Sequence, residues 1–440
     1  MEYTDDEEEL LNLSLAIVTS ESSGDHGRTM KRKRGDALSP KLRSYEGCEE
    51  KIFRLLQMRE QMLKLDRKST RSSQLPDQDH GNGLHLIHLL LITATAVDQN
   101  KVGSALENLT ELYRSVSPTG GSLQRVVAYF ADGLAARFLT RKSPFYNMIM
   151  KEPTDEEEFL AFTDLYRVSP YYQFAHFTAN QCILEAFEKE EDKNNRTLHV
   201  VDFDVSYGLQ WPSLIQSISE KASTGNRISL KITGFGTTSE QLQETEDRLA
   251  SFSKGFRNLN FKFQGLLRGG CYDFRNLRKK KNETLAVNLV FYSLNNETLK
   301  SVHSLNPSIV ILVEQEGSKS PRSFLSRFME SLHCFAALFD SLDDCLPLES
   351  AERLSIEKNH LGKEIKACLT TIQIHAGRRR MRGWTRGRRG WRGMVLWVEA
   401  ESGGGGGGFR VSERDGGGIS LGWQDRCLLT ASAWHCVYDR

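Results

Sequence analysis

No stretch of this chain approaches the roughly 20 consecutive apolar residues needed to span a bilayer. Its first residues, MEYTDDEEELLNLSLAIV, are acidic where a secretory signal is basic, so neither membrane insertion nor secretion is expected. An excess of one charge is missing too: 58 Lys and Arg stand against 57 Asp and Glu, a net charge of +1. No global field therefore draws the chain to nucleic acid, and any such role rests on local patches. The eight cysteines, Cys48, Cys182, Cys271, Cys334, Cys345, Cys368, Cys427 and Cys436, form no CxxC pair and no Cys/His cluster at zinc spacing. They read as reduced thiols of a cytosolic or nuclear protein. GxSxG, HExxH and Walker sequences are absent as well.

What is present is enough apolar material, 39% of 440 residues, to bury a sizeable core. Residues 1–45 are the exception, being polar, charged and poor in aromatics, and they read as a disordered tail. That tail carries two short motif candidates. KRKR (Lys31, Arg32, Lys33, Arg34) is either a solvated charge run or a nuclear import signal. LNLSL (Leu11, Leu13, Leu15) is either a few leucines in a tail or an LxLxL peptide that docks through alternate leucines in a corepressor groove.

Residues 46–83 read as one amphipathic helix, EEKIFRLLQMREQMLKL, followed by a polar linker. From Gly83 to Phe138 the period is again helical, with breaks near Asp98 to Lys101 and at SPTGG, which gives three helices. His85 and His88 share a face of the first but lack a third ligand, so they read as partly buried core histidines. Leu86, Leu89 and Leu90 match LxxLL on a helix so apolar that pattern alone does not separate a motif from core. A further helical stretch, EFLAF to EKEE, is interrupted at Ser169 and Pro170.

The period then changes. Apolar, β-rich runs at 198–204, 228–236, 259–264, 284–291 and 308–314 are mostly separated by segments long enough for a crossover helix. That alternation predicts a doubly wound α/β domain with a mostly parallel sheet, the earlier helices forming a cap. The first run opens LHVVDFDVSYGLQWPSLIQSIS, a buried strand, a turn holding Asp202 and Asp204, and a helix with Pro212 at an early position. A dinucleotide or S-adenosylmethionine site at this place needs a glycine-rich turn and an acid ending the second strand. The turn has only Gly208, and the second strand ends KITGFGTTSEQ with no carboxylate before Glu240. Asp202 and Asp204 are read as ordering the turn rather than as an acid and base pair, and no cofactor, metal or catalytic residue is expected.

The same residues carry a family likeness. Leu198, His199, Val200, Val201, Asp202, Phe203 and Asp204 resemble the VHIID motif of the plant GRAS transcriptional regulators, and SPYYQFAHFTANQCILEAFE is similar to the segment that precedes it. ISLGWQDRCLLTASAWHC resembles their SAW motif, with Trp423, Ser432, Ala433 and Trp434 in the matching places. AERLSIEKNHLGKEI resembles the RVER region in a looser form, through Glu352, Arg353 and Glu357. The likeness runs over 84–369 and again over 409–436. The HLLLITATAVDQNK and LNLSLAIVTSE segments are most similar to the branch of the second nodulation-signalling-pathway protein and related SCARECROW-like proteins.

The resemblance implies a GRAS domain over 84–440, with a mainly helical, leucine-rich cap at 84–195 and a methyltransferase-like (Rossmann-type) core at 196–440. It implies a non-enzymatic regulator of transcription in the nucleus, in symbiosis, strigolactone-related or developmental signalling. The implied partners are another GRAS protein, as homo- or heterodimer, and a corepressor or coactivator, with promoter DNA reached indirectly. The interaction surface falls on the cap helices, at Leu86, Leu89, Leu90 and Leu109. Alternatives are an S-adenosylmethionine-dependent methyltransferase, and direct DNA binding through RNLRKKK (Arg275, Arg278 to Lys281).

One segment departs from the family pattern. Between 370 and 408 the sequence becomes GRRRMRGWTRGRRGWRGMVLW and a glycine run, with eight arginines from Arg378 to Arg392. It reads either as a nucleic-acid-binding Arg/Gly segment or as an acidic coding stretch translated out of frame. In either case the last strands, near 409–415 and 427–434, are expected to lack a neighbour and leave an exposed edge.

Overall fold

A computed structural model describes residues 46–65, 79–139, 144–222, 226–269, 274–292, 294–316, 323–370, 384–386, 408–414 and 417–436. The tail 1–45 with LNLSL and KRKR, the linker 66–78 and most of 370–408 lie outside the described residues. The described residues fall into two compact units, one within Met1–Asp164 and Arg322–Gln373, the other within Leu165–Pro321 and Ile374–Arg440. No helix among them is long and apolar enough to cross a membrane.

The first unit is helical. Its early helices are α1 (Glu46–Leu65), α2 (Asp79–Asp98), α3 (Val102–Ser115), α4 (Ser122–Phe138), α5 (Pro144–Ile149) and the start of α6 (Asp155–Val168). The three helices expected between 83 and 138 are thus present. Asn100 takes a left-handed φ of 53° in the turn that ends α2, a conformation Asn tolerates better than most residues. Thr154 and Glu157 close a capping box at the start of α6: the Glu157 N–H donates to Thr154 Oγ1 at 3.2 Å, and the Thr154 N–H donates to Glu157 Oε2 at 2.9 Å.

The chain re-enters this unit as α11 (Phe324–Cys345), α12 (Ala351–Ser355), a π-helical turn (Ile356–Leu361) and α13 (Gly362–Thr370). Helix α4 is its axis, because Val126, Val127, Phe130 and Leu134 are all fully buried. Phe130 meets Phe328 edge-on at 5.4 Å, the preferred aromatic geometry. Gly133 lets α13 approach: a Cβ there would sit 2.6 Å from Leu369 Cδ1.

The second unit is the α/β layer. It opens with α7 (Pro170–Lys189), whose Ser169 accepts the Tyr171 N–H at 3.3 Å and whose first position is proline, as the break at Ser169 and Pro170 predicts. The expected strands follow as β1 (Thr197–Asp202), β2 (Ile228–Gly236), β3 (Leu259–Leu267), β4 (Thr284–Val290) and β5 (Ile309–Gln315). Between them lie α8 (Trp211–Lys221), α9 (Ser239–Ser253) and α10 (Asn296–Ser304), with a 3₁₀ turn at Phe274–Leu277. Strands β6 (Trp384–Arg386), β7 (Phe409–Arg414), β8 (Gly418–Trp423) and β9 (Arg426–Cys436) complete the sheet.

The strand order is β3-β2-β1-β4-β5-β9-β8-β7, with β6 also pairing β9. Strands β1 to β5 are parallel, and β9 runs antiparallel beside β5. This is the doubly wound, methyltransferase-like arrangement the sequence predicts, and its order reverses between β1 and β4, where such sheets offer a crevice. The expectation for the last strands needs correction. β9 has β5 on one side and β8 on the other, because Gly418–Trp423 supplies a strand that the sequence reading did not separate out. Among the described residues the terminal strand at that end is β7, so the edge expected near 409–415 falls there.

Candidate functional site

The crevice at the carboxyl ends of β1 and β4 is where a ligand would be sought, and β1 delivers the VHIID-like residues to it. Leu198, Val200 and Val201 are fully buried, and His199, Asp202 and Phe203 nearly so. His199 Nε2 lies 2.9 Å from Thr233 Oγ1. Burial, with Lys231 and Lys280 nearby, pushes its pKa down to about 3, so the imidazole is neutral.

Asp202 ends the strand opposite Asn288 of β4. Its Oδ1 accepts from Asn288 Nδ2 at 3.0 Å and from the Asp204 N–H at 3.3 Å. Burial pushes its carboxyl up to about 7. The Asn288 amide opposes that rise and Asp204 adds to it. The Trp211 indole N–H opposes it too, although it is buried without a hydrogen bond of ordinary geometry.

From Asp202 a chain of buried amides leads away. Asn288 Nδ2 donates to Gln210 Oε1 at 3.0 Å, Gln210 Nε2 donates to Asn180 Oδ1 at 3.1 Å, and Asn180 Nδ2 donates to Ser213 Oγ at 2.8 Å. This chain fastens α7 and the start of α8 to the middle of the sheet. Asp204 differs: it is about one-third exposed and pairs with Arg268 at 2.7 Å. Burial raises its carboxyl and Arg268 pulls it back. A carboxyl near pH 7 has the poise of a general base, but Asp202 is 2% exposed and already accepts two hydrogen bonds. Both aspartates order the turn, with Ser206 at φ 46° and Gly208 at φ 71° completing it.

The crevice itself is filled by the protein. Phe203 meets Phe235 at 5.4 Å, Phe274 at 6.0 Å and Tyr292 at 5.4 Å, across the ends of β1, β2 and β4. Beside them Phe291 is held at φ 55°, a strained value for a bulky residue, between Tyr171 and Tyr172. An adenosyl or dinucleotide cofactor needs glycine backbone left open for its approach. Here a Cβ on Gly208 would lie 2.7 Å from Thr245 Cγ2, one on Gly234 2.8 Å from Val205 Cβ, and one on Gly236 2.7 Å from Leu242 Cδ2. These glycines admit the chain's own side chains, and the residues present do not fit such a cofactor.

The RVER-like residues lie in the helical unit. Glu352 is exposed, whereas Arg353 and Glu357 are fully buried. Arg353 Nη1 donates to Glu357 Oε1 at 3.3 Å, and Arg353 Nη2 donates to the Leu348 carbonyl. Arg125 of α4, also fully buried, joins them: its Nε donates to Glu357 Oε1 at 3.0 Å and its Nη2 to Asp343 Oδ1 at 2.5 Å. Burial pushes the Glu357 carboxyl up to about 7 against the pull of the two guanidinium groups. The SAW residues are structural in the α/β unit. Trp423 packs edge-on against Phe409 at 4.8 Å, Ala433 is fully buried, and Trp434 Nε1 donates to Ser432 Oγ at 2.9 Å.

Two expectations are corrected by burial. Leu86, Leu89, Leu90 and Leu109 are no interaction surface: all are under 10% exposed, since α2, α3 and α4 turn these leucines toward one another. His85 and His88 are exposed rather than core, and among the described residues no cluster of side chains could hold a metal. The sequence reading missed Arg125, Asn180, Gln210, Asn288 and Arg268. A signal existed for two of them, since Arg125 interrupts an apolar helix and Asn288 an apolar strand.

Comparison with known proteins agrees with the family likeness. A model of the GRAS domain family matches residues 86–435. The chain is 35% identical to Protein SCARECROW of Pisum sativum over 81% of its own length, but over only 45% of that protein's. It is 34% identical to Protein SCARECROW of Arabidopsis thaliana, covering 84% of this chain and 58% of that one. The chain thus spans about half the length of these SCARECROW proteins. Against Scarecrow-like protein 23 of Arabidopsis thaliana the identity is 35%, covering 81% of this chain and 91% of that one. The crystal structure of SCL7 from Oryza sativa superposes with a TM-score of 0.63 at 25% identity, covering 80% of this chain and 99% of that one.

Proposed function

The chain belongs to the GRAS domain family, and from that membership we propose that it is a non-enzymatic transcriptional regulator of plants that works in the nucleus by binding other proteins. The observation that carries the non-enzymatic part is the filled crevice. Phe203, Phe235, Phe274 and Tyr292 occupy the ends of the parallel strands, Thr245 closes on Gly208 of the first turn, and Val205 and Leu242 close on Gly234 and Gly236 at the end of β2.

In this reading the partner is another GRAS protein, in a homo- or heterodimer, with a corepressor or coactivator recruited in turn and promoter DNA reached through the assembly. The signalling programme in this reading is symbiotic, strigolactone-related or developmental. Because the predicted leucines are core, the cap offers a partner the outer face of α2 instead, where Leu84 and Ile92 are exposed.

The full chain is expected to co-elute with a SCARECROW protein in gel filtration with light scattering, and to give no heat on calorimetric titration with S-adenosylmethionine. Separate elution, together with micromolar binding of S-adenosylmethionine, overturns the proposal. One observation favours direct DNA contact as a second reading: Arg278, Lys280 and Lys281 are exposed. Lys279, by contrast, is turned inward to Glu190 and Ser308, at 2.9 and 2.6 Å. DNA affinity that falls steeply with salt would support that reading.

A further inference from the structure

Strand β3 is the terminal strand of the sheet on the side away from β7, so among the described residues one of its edges has no strand beside it. The two faces of β3 differ sharply. Gly265 abuts Leu242 of α9, where a Cβ would come within 3.0 Å, so Phe261 and Phe263 share the face toward that helix and stay half-buried. The opposite face carries the exposed Lys262, in register with Lys231 of β2, which is in register with the neutral His199.

Lys231, Lys262 and Lys280 make no ion pair among the described residues. Burial lowers the Lys231 pKa, and its two lysine neighbours lower it further. Only the buried Glu283 opposes them, and that carboxylate already accepts the Lys280 backbone N–H at 2.8 Å. Like charges gathered without counterions lose stability in the free chain and recover it when a negative partner arrives.

The geometry points to the free edge of β3 as a docking site for an extended segment of a partner protein, added as a further strand, whose acidic side chains alternate with apolar ones. Unpaired backbone groups on an edge strand supply the hydrogen bonds. Alternation places apolar side chains beside Phe261 and Phe263 and carboxylates beside Lys262, with the Lys231 charge one strand further in on the same face. A second copy of β3 is a poor occupant, since LNFKFQGLL carries a lysine and no acid. The Lys262 charge that deters self-pairing is the one that selects an acidic strand. This inference concerns an edge of the α/β unit and is separate from the cap surface proposed above.

The test uses the full chain and a short, blocked, fluorescein-labelled peptide of alternating valine and glutamate, with a valine and lysine peptide as its charge-reversed counterpart. The glutamate peptide is expected to bind, and amide exchange across 259–267 to slow on binding. Lys262→Glu should weaken binding about tenfold, since it turns an attractive cross-strand pair into a repulsive one, and should shift preference to the lysine peptide. Lys262 is exposed and in register with Lys231, so the melting temperature of the variant should be no lower than that of the parent; Lys262→Gln serves as a second variant. Equal binding by parent and variants overturns the proposal. So does a DNA duplex that binds with the same Lys262 dependence while β3 amides stay unprotected, because the patch is then a phosphate surface.

Discussion

Replacing Asp202 by asparagine should stabilise the protein at alkaline pH, although Asp202 lies at the centre of the family motif. Burial raises its carboxyl to about 7, whereas in the unfolded chain it titrates near ~3.9. Below pH ~4 it is protonated in both states and the folded form carries no penalty. As pH rises the unfolded chain ionises first, and stability is lost progressively until pH passes about 7. The gap corresponds to about 4 kcal/mol at pH 8.

Asparagine keeps an acceptor for the Asn288 amide and the Asp204 N–H, so the variant should lose the penalty and retain the contacts. The assay is urea unfolding followed by circular dichroism, for parent and Asp202→Asn, at intervals from pH 4 to 8.5. Other titrating groups cancel in the difference between the two proteins. The two curves should converge near pH 4 and diverge upward, with the variant the more stable by several kcal/mol at pH 8. A variant equal to or weaker than the parent at pH 8 would refute the assignment of Asp202 to a buried, neutral-leaning structural role.

The pair Arg59–Asp132 runs the other way. Burial alone would raise the Asp132 carboxyl, but Arg59, bonded to both its oxygens at 2.8 Å, and Tyr113, also at 2.8 Å, hold it below its usual range. Asp132→Asn should cost about 3–5 kcal/mol by leaving Arg59 buried and unpaired, and parent stability should fall only as pH drops below about 4. Additive costs in Arg59→Met, Asp132→Asn and their double variant would show that the pair does not couple. Gly234→Ala should lower stability by about 1–3 kcal/mol in thermal melts, because its Cβ meets Val205, and Val205→Ala in the same chain should restore part of the loss. A phosphate-cradling glycine would show no such rescue. Leu90→Ala should cost about 2–5 kcal/mol, measured by urea midpoint; a drop in partner binding at unchanged stability would return that leucine to an interaction role.

Much of the architecture was legible in sequence, because it depends on short-range periodicity. The switch from a 3.6-residue to a two-residue repeat near 197 marks where helices give way to strands, and Ser169–Pro170 marks a helix start that the structure keeps. The scarcity of glycine at the first turn was legible too, and the structure sets Gly208, its one glycine, against Thr245. Other features were not legible. LxxLL reads the same whether its leucines face a partner or the interior, so burial alone distinguished Leu86, Leu89 and Leu90. Strand β8 was hidden because ISLGW continues through a two-residue turn, with Gln424 at φ 48°, into β9.

The sequence by itself determined the main helical and strand segments, β8 excepted, the parallel core they assemble, and the family whose motifs they carry. These depend on side-chain patterns within a few residues, which local physics reads directly. Only the tertiary structure decided what the motif residues do. Asp202 meets Asn288 across 86 positions, and Arg125 meets Glu357 across 232. Whether a buried charge is neutral, paired or reactive depends on the partner that folding brings to it. The aspartates of LHVVDFD are thereby assigned to holding a turn, over a crevice that Phe203, Phe235, Phe274 and Tyr292 already fill.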